Sequence, residues 1–447
     1  MKQLIEKQKD LFTLQQPFSV KMRITHLQNL KAAIKAQEDA IYKALDADLR
    51  KSKSEAFMTE VGLVYEEINH AIKHLKKWAA PKKVKISLAQ FPAKARIYSD
   101  AYGQVLIMSP WNYPFQLTLV PLVGAIAAGN VVIVKPSAYA PNIAGVMKEI
   151  IETAFPHQEV ILFLGGRSVN EEILTYKFDY IFFTGSVNVG KTVMSKASLD
   201  LTPVTLELGG KSPCVVFGNV DLKLAARRIA WAKLVNMGQT CVAPDYLIVD
   251  RQNERIIDMI ELEFNLAKEE MLKLPKIINE KHYLRLKAYL TELGLERFDD
   301  ENQIIYPSIV KMPSLDAKVM QEEIFGPILP VLIVDNLTMV KTLINARPKP
   351  LAMYVYSDDK YVVDFLLHHT SSGSFCVNDS LMQLASSYLP FGGVGESGMG
   401  SYHGHQSFLT FSHQKSVLFK SKKFDLKFRY QRSDAAYKMA KHIIKTK

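Results

Sequence analysis

Cysteine is scarce in this chain: three residues, Cys214, Cys241 and Cys376, among 447. They lie far apart, in odd number and without a CxxC pair, which argues against a disulfide framework or zinc ribbon and fits a reducing compartment with free thiols. Long apolar runs are missing too. The apolar runs VLIMSPW, NVVIVKPS and PILPVLIVD each fall well short of the roughly 18 to 20 residues that span a bilayer. The amphipathic start, MKQLIEKQKDLF, lacks the apolar core of a signal peptide, so the expected location is cytoplasmic. There is no GxGxxG fingerprint, internal repeat or low-complexity segment. His403 and His405 share a glycine-rich loop without the partners or spacing of a zinc site, and no metal is expected.

What is present is a balanced globular composition. With 48% hydrophobic residues, the chain can bury one or two large cores in two or three domains. The net charge of +11 is concentrated: residues 418–447 hold ten Lys or Arg against two Asp, leaving the body nearly neutral. A nearly neutral body excludes a nucleic-acid footprint. The basic tail suits either weak peripheral contact with an anionic membrane or a solvated extension.

The first eighty residues read as helices, with Leu27, Leu30, Ile34, Ile41, Leu45 and Leu49 at helical spacing. From Arg96 short apolar runs alternate with helical patterns: YGQVLIMSP, LTLVPLVGAIAAG, NVVIVKPS, NIAGVMKEIIETAF, VILFLGG, DYIFFTGS, VGKTVMSKAS. Continuous apolar strands separated by helices predict a doubly wound parallel sheet covered on both faces. A second series, near SPCVVF, DYLIVD, PILPVLIVD, LAMYVYS and GSFCVND, predicts a second α/β domain after about residue 207.

In DYIFFTGSVNVGKTVMSKAS a strand runs through a turn into a helix, whose free N-terminal amides suit a phosphate. Residues 185–192, GSVNVGKT, also satisfy the GxxxxGK[ST] pattern of a P-loop NTPase. Against that reading, the interior of the pattern is Val187, Asn188 and Val189, and β-branched residues resist the positive φ a phosphate-wrapping loop needs.

Cys241 in NMGQTCVAPD follows a helical run and precedes a proline. A cysteine that attacks a carbonyl needs donors for the oxyanion, a base for water and an acceptor for hydride if oxidation occurs. PWNYP places Asn112 just beyond an apolar strand, ELGGKSP places Glu207 at a strand end before two glycines, and QEEIFGP places Glu323 beside Phe325. Singly, each has a plain alternative: a turn amide, an exposed strand end, a small buried thiol.

Together, PWNYP, KPS, FTGS with VG, ELGGKSP, GQTC, EEIFGP and PFGGVGESGMG, in this order from about Arg96 to His413, resemble the aldehyde dehydrogenase superfamily. The chain looks most like its class 3 branch, which acts on fatty and aromatic aldehydes. The resemblance implies Cys241 as nucleophile, Asn112 and the Cys241 backbone N–H as oxyanion donors, and Glu207 as the base for water, with Glu323 sharing that task or holding the nicotinamide ribose. It further implies Lys135 at the adenine-side ribose, Gly185, Ser186, Val189 and Gly190 at the pyrophosphate, and Phe325 near the nicotinamide of NAD or NADP. Many NAD-dependent members read KPSE where this chain has KPSA, so Ala138 removes a carboxylate that would repel a 2′-phosphate, and both cofactors are expected.

The implied architecture is an NAD(P)-binding domain over 1–81 and 102–206, a catalytic domain over 207–405, an oligomerisation arm over 82–101 and 406–420, and a basic tail over 421–447. In the arm, SFLTFSHQKSVLF (407–419) alternates loosely as a strand should, and a homodimer is expected. Tyr113, Phe115, Leu117, Trp231 and Phe408 suggest an apolar pocket for a long, aromatic or polyene aldehyde. A CoA-acylating enzyme, which has no need of a hydrolytic base, is the closest alternative, and Glu207 weighs against it.

Overall fold

The computed structural model describes residues 1–444. Two six-stranded sheets and one three-stranded sheet organise it, with an isolated two-stranded pair at Phe298–Asp299 and Ile304–Ile305. The first large sheet runs in the order Gly398–Met399, Val204–Glu207, Tyr180–Thr184, Gln104–Met108, Val131–Lys135, Val160–Leu162, all parallel except the first. The second is wholly parallel: Ser308–Lys311, Ile328–Val334, Tyr246–Asp250, Pro213–Val216, Ala352–Tyr356, Ser374–Val377. Every residue of Gln104–Met108, Val131–Lys135 and Tyr180–Thr184 is buried, as strands covered on both faces must be. This is the doubly wound α/β architecture expected from the alternating pattern.

Between the first sheet and the N-terminal helices lies Gln116–Ala128, buried at every position and apolar almost all round, the mark of a central rather than a surface helix. It ends at Gly129, whose φ of 95° is the left-handed stop glycine adopts readily. Gly124 within it lets the helix Gly404–Thr410 approach: a Cβ there would lie 2.5 Å from the Ser407 Cβ. The four long N-terminal helices Lys2–Gln15, Val20–Ala36, Glu38–Leu49 and Gly62–Trp78 match the helical spacing of the first eighty residues. Asp48 from the third accepts from the amides of Asn142 and Ile143 at 3.3 and 2.9 Å, capping the helix Pro141–Ala154, whose own N-cap, Ala140, supplies no side-chain acceptor.

The arm is the antiparallel sheet Lys82–Val84, Ala93–Ala101 and Ser412–Lys420, the last two paired from Ser412↔Ala101 to Lys420↔Ala93. One expectation fails here. Residues 407–411 are not strand: Gly404–Thr410 is a helix and pairing begins at Ser412, because Ser407 and Phe408 are drawn inward onto Gly124 and the core. The described part of the tail is exposed at most positions, and of its helix only Ala436 is buried. A helix at Asp434–Ile444 returns toward the arm, where Ala440, Ile443 and Ile444 share a cavity wall with Leu418 and Ala89; of the tail's expected range, 445–447 lie outside the described residues. Among the described residues, no helix is long and apolar enough to cross a membrane.

Candidate active site

The carboxyl ends of the first sheet's strands point toward the second sheet, and a cavity of about 220 Å³ lies there. Asn112 follows the strand Gln104–Met108, Gly185 and Ser186 follow Tyr180–Thr184, and Glu207 closes Val204–Glu207. From the second half of the chain come Cys241, Glu323 and Phe325, and all seven residues line this one cavity. Its remaining wall joins the apolar side chains of Pro110, Trp111, Leu117 and Leu208 to Thr184, Gly209, His282 and Arg285.

The turn bearing Cys241 is strained. The helix Leu222–Leu234 ends, and Asn236 and Met237 take φ values of 49° and 53°, a left-handed pair without glycine. Hydrogen bonds hold it: the Gln239 side chain donates to the carbonyls of Asn236 and Lys276 and accepts from the Ile278 amide. Cys241 emerges partly accessible. Burial pushes its thiol well above the ordinary range, and the nearby carboxylates Glu323 and Glu207 push it the same way.

Asn112 is buried, and its side-chain nitrogen donates to the Gln239 carbonyl at 3.0 Å. That bond fixes which end of the amide faces the Cys241 turn, since the oxygen would be repelled by the carbonyl. One N–H of the amide remains for a ligand. Both carboxylate oxygens of Glu207 are buried without a partner, and burial holds the group well above the usual carboxylate range. Glu323 is pushed up to about 8, by burial first and by Asp245 second, while accepting from the Gly210 amide at 3.1 Å. The glycine pair explains the geometry: a Cβ on Gly209 would sit 2.4 Å from the Glu323 carboxylate oxygens. Lys211, next in the same motif, pairs with Asp245 and donates to the Glu322 carbonyl at 2.9 Å, while Asp245 accepts from the Ile324 amide at 2.9 Å. ELGGK, APD and EEIF are thus tied together around Glu323.

The fit of a dinucleotide is legible beside these groups. The helix Val187–Ser198 starts with Ser186 as N-cap and no side-chain cap bond, leaving its first amides free for a phosphate. Thr184 Oγ1 is buried and unpartnered at the same turn. Val189 is exposed and Gly190 packs against Leu208, where a Cβ would lie 2.6 Å from that side chain. Lys135 ends its strand buried, its amine drawn down to about 8 by burial and donating to the Pro136 carbonyl. Only Gly185 and Ser186 separate strand from helix, so GSVNVGKT is mostly helix and has no loop to wrap a triphosphate. The P-loop reading fails on that geometry.

Of the five expected pocket aromatics and aliphatics, Leu117 alone lines the cavity. Tyr113 lies buried beside it, its hydroxyl 2.6 Å from Thr240 Oγ1. Phe115 and Phe408 are fully buried in the core, and Trp231 is 43% exposed on its helix. Phe115 and Phe408 face the core rather than the cavity, a difference that sequence spacing does not carry. Conversely, His282 and Arg285 line the cavity without having been singled out. The Asn279 side chain caps the helix Glu280–Glu292 through the His282 amide at 3.1 Å, and the spacing of three places both residues on one face. His282 packs against Trp111 with ring centres 5.1 Å apart, and burial lowers it to about 4, so it is neutral near pH 7. In sequence, KHYLRL reads as an ordinary amphipathic helix. Among the described residues, no group of three or more His, Cys, Asp or Glu side chains could hold a metal ion.

Comparison with known proteins gives the family. The model of the aldehyde dehydrogenase family matches residues 1–417. The 4,4'-diaponeurosporen-aldehyde dehydrogenase of Staphylococcus aureus is 42% identical over 427 residues, 93% of each chain. The dimeric, NADP-preferring aldehyde dehydrogenase of Rattus norvegicus is 40% identical over 425 residues, 93% of this chain and 94% of its own. A solved structure described as the substrate-bound state of Staphylococcus aureus AldH superposes with a TM-score of 0.95 at 40% identity, covering 99% of each chain.

Proposed function

The chain belongs to the aldehyde dehydrogenase family, and from that premise we propose that it oxidises an apolar aldehyde to the carboxylic acid through a thioester on Cys241. The observation that carries this reading is the convergence of a thiol, an amide and two unusually basic carboxylates on one apolar-walled cavity.

Cys241 Sγ attacks the aldehyde carbon once its proton has moved to a carboxylate; Glu207 and Glu323, both held above the ordinary range, are the acceptors on the cavity wall. The free N–H of Asn112 and the Cys241 backbone amide receive the oxyanion of the thiohemiacetal, a stabilisation worth on the order of 10²–10³ in rate per donor. NAD or NADP, when bound, supplies the hydride acceptor. Lys135 would hold its adenine-side ribose, Gly185, Ser186 and the helix start at Val189 and Gly190 its diphosphate, Glu323 its second ribose, and Phe325 would pack near the ring. Once any proton taken from Cys241 has passed to solvent, the Glu207 carboxylate, with two unpaired oxygens, takes a proton from the water that attacks the thioester carbon, and the C–S bond breaks to release the acid and return the Cys241 thiolate. A CoA-acylating enzyme would have no use for that base.

The same reading assigns the cofactor to residues 1–81 and 102–206, the chemistry to 207–405, and pairing with a second copy to the arm of 82–101 and 406–420, whose strand Ser412–Lys420 is exposed along most of its length. The relative named for a polyene aldehyde and the wall of Trp111, Leu117 and Leu208 support a long or conjugated apolar substrate.

The test is a panel of hexanal, decanal, benzaldehyde and betaine aldehyde, followed by reduced-cofactor absorbance on wild type and Cys241→Ala. The expected result is the highest kcat/KM on decanal or benzaldehyde and no turnover in the variant. Betaine aldehyde as best substrate would overturn the substrate class, and an active variant the mechanism.

A further inference from the structure

Outside every motif, the segment 50–60 sends three charged side chains into the site's two loops. Lys51 is fully buried; its ammonium donates to Glu60 Oε1 at 2.6 Å and to the Asn112 main-chain carbonyl at 2.9 Å, and lies 4.0 Å from the Tyr113 ring centre. The other Glu60 oxygen accepts from the amides of Phe115 and Gln116 at 2.8 and 3.3 Å. Those amides open the helix Gln116–Ala128, whose N-cap provides no acceptor of its own; a carboxylate at a helix N-terminus complements its dipole. Glu55 accepts from the Asn236 amide at 2.8 Å, and the Asn236 side chain donates to the same Asn112 carbonyl at 2.9 Å.

A fully buried ion pair is a poor source of stability, because both charges must leave water. Here both partners spend their remaining hydrogen-bonding capacity on the backbone of residues 112–116. Glu60 moreover sits in the π-helical turn Phe57–Val61, an irregularity frequent at functional sites. The Asn112 loop and the strained Asn236–Cys241 turn come from opposite halves of the chain, and one short segment ties both.

We propose that Lys51, Glu55 and Glu60 are positioning residues: Lys51 and Glu60 fix the Asn112 loop, and Glu55 fixes the turn carrying Cys241, so that amide and thiol meet the same carbonyl group. The proposal rests on the reading of Asn112 as an oxyanion donor. A donor displaced by about 1 Å loses on the order of 10²-fold in rate, while Lys135 and the Gly185 turn, on other elements, keep their hold on cofactor.

The experiment compares Lys51→Met, Glu55→Ala and the paired Lys51→Met/Glu60→Leu, which leaves no lone buried charge, each alone and with Asn112→Ala. Single-turnover reduction of NAD with decanal is normalised to thiols titrated at Cys241. The expected result is a loss of roughly 10- to 100-fold in turnover and a cofactor KM within about threefold of wild type; in the Asn112→Ala background Lys51→Met and the paired variant add little, because residues acting through one group are non-additive, whereas the Glu55→Ala loss, acting through the Cys241 turn, persists. A paired variant with wild-type turnover, or Lys51→Met losses that multiply with that of Asn112→Ala, would overturn the proposal alone. Wild-type turnover in Asn112→Ala would overturn the oxyanion reading and the proposal together.

Discussion

At the scale of single residues, the site is set by how burial treats charge. Cys241 is raised by burial and then by Glu323 and Glu207, so each carboxylate, when ionised, opposes ionisation of the thiol. Removing one negative neighbour should therefore lower the thiol's pKa. In Glu323→Gln, Cys241 alkylation by iodoacetamide should reach a given rate at lower pH than in wild type; an unmoved pH profile would show that the repulsion is absent. Gly209 illustrates how sharply a motif can be determined by space, since the Glu323 carboxylate occupies the volume a Cβ would need.

At the scale of elements, the helix Gly62–Trp78 and the loop 387–404 are joined by Glu67. It accepts from Ser387 Oγ at 3.0 Å and from the Gly404 amide at 2.7 Å, and burial raises it to about 7. A carboxyl raised on folding binds a proton that the unfolded chain has already released. Its stabilising effect is therefore fully present below the unfolded value of 4.5 and lost as pH rises through about 7, an upper limit of about 3 kcal/mol. The fall in Tm between pH 5 and pH 8 should accordingly be smaller in Glu67→Gln than in wild type, as calorimetry would show; equal falls would contradict it. Legibility also divides at this scale. The buried strands Gln104–Met108, Val131–Lys135 and Tyr180–Thr184 were readable because continuous apolar runs have few alternatives. Residues 407–411 misled because SFLTFS alternates as a strand would, and only packing against Gly124 selects helix.

At the scale of the whole molecule, two consequences follow from surfaces. Ala138 is exposed three residues after Lys135, and on the proposed placement of the cofactor a carboxylate there would repel a 2′-phosphate. Steady-state runs with NAD and NADP should give kcat/KM values within about a hundredfold of each other, roughly 2.7 kcal/mol; a larger preference for NAD would refute this. The arm exposes most of strand Ser412–Lys420, and an exposed edge of this length invites a partner strand. Light scattering at micromolar concentration should return twice the chain mass of 50.5 kDa, and a monomer would refute the pairing.

The sequence by itself determined the two α/β sheets, the family and the motif residues around Cys241, because hydrophobic periodicity and short strand-end motifs are local properties written in consecutive positions. The tertiary structure alone decided which side chains surround the chemistry: His282 and Arg285 on an ordinary-looking helix, Lys51 and Glu60 from the N-terminal segment, and Phe115 and Phe408 withdrawn into the core. The physical reason is that direction and burial depend on what packs against each residue from distant parts of the chain. A charge on an amphipathic helix reads as solvated until the fold removes its water.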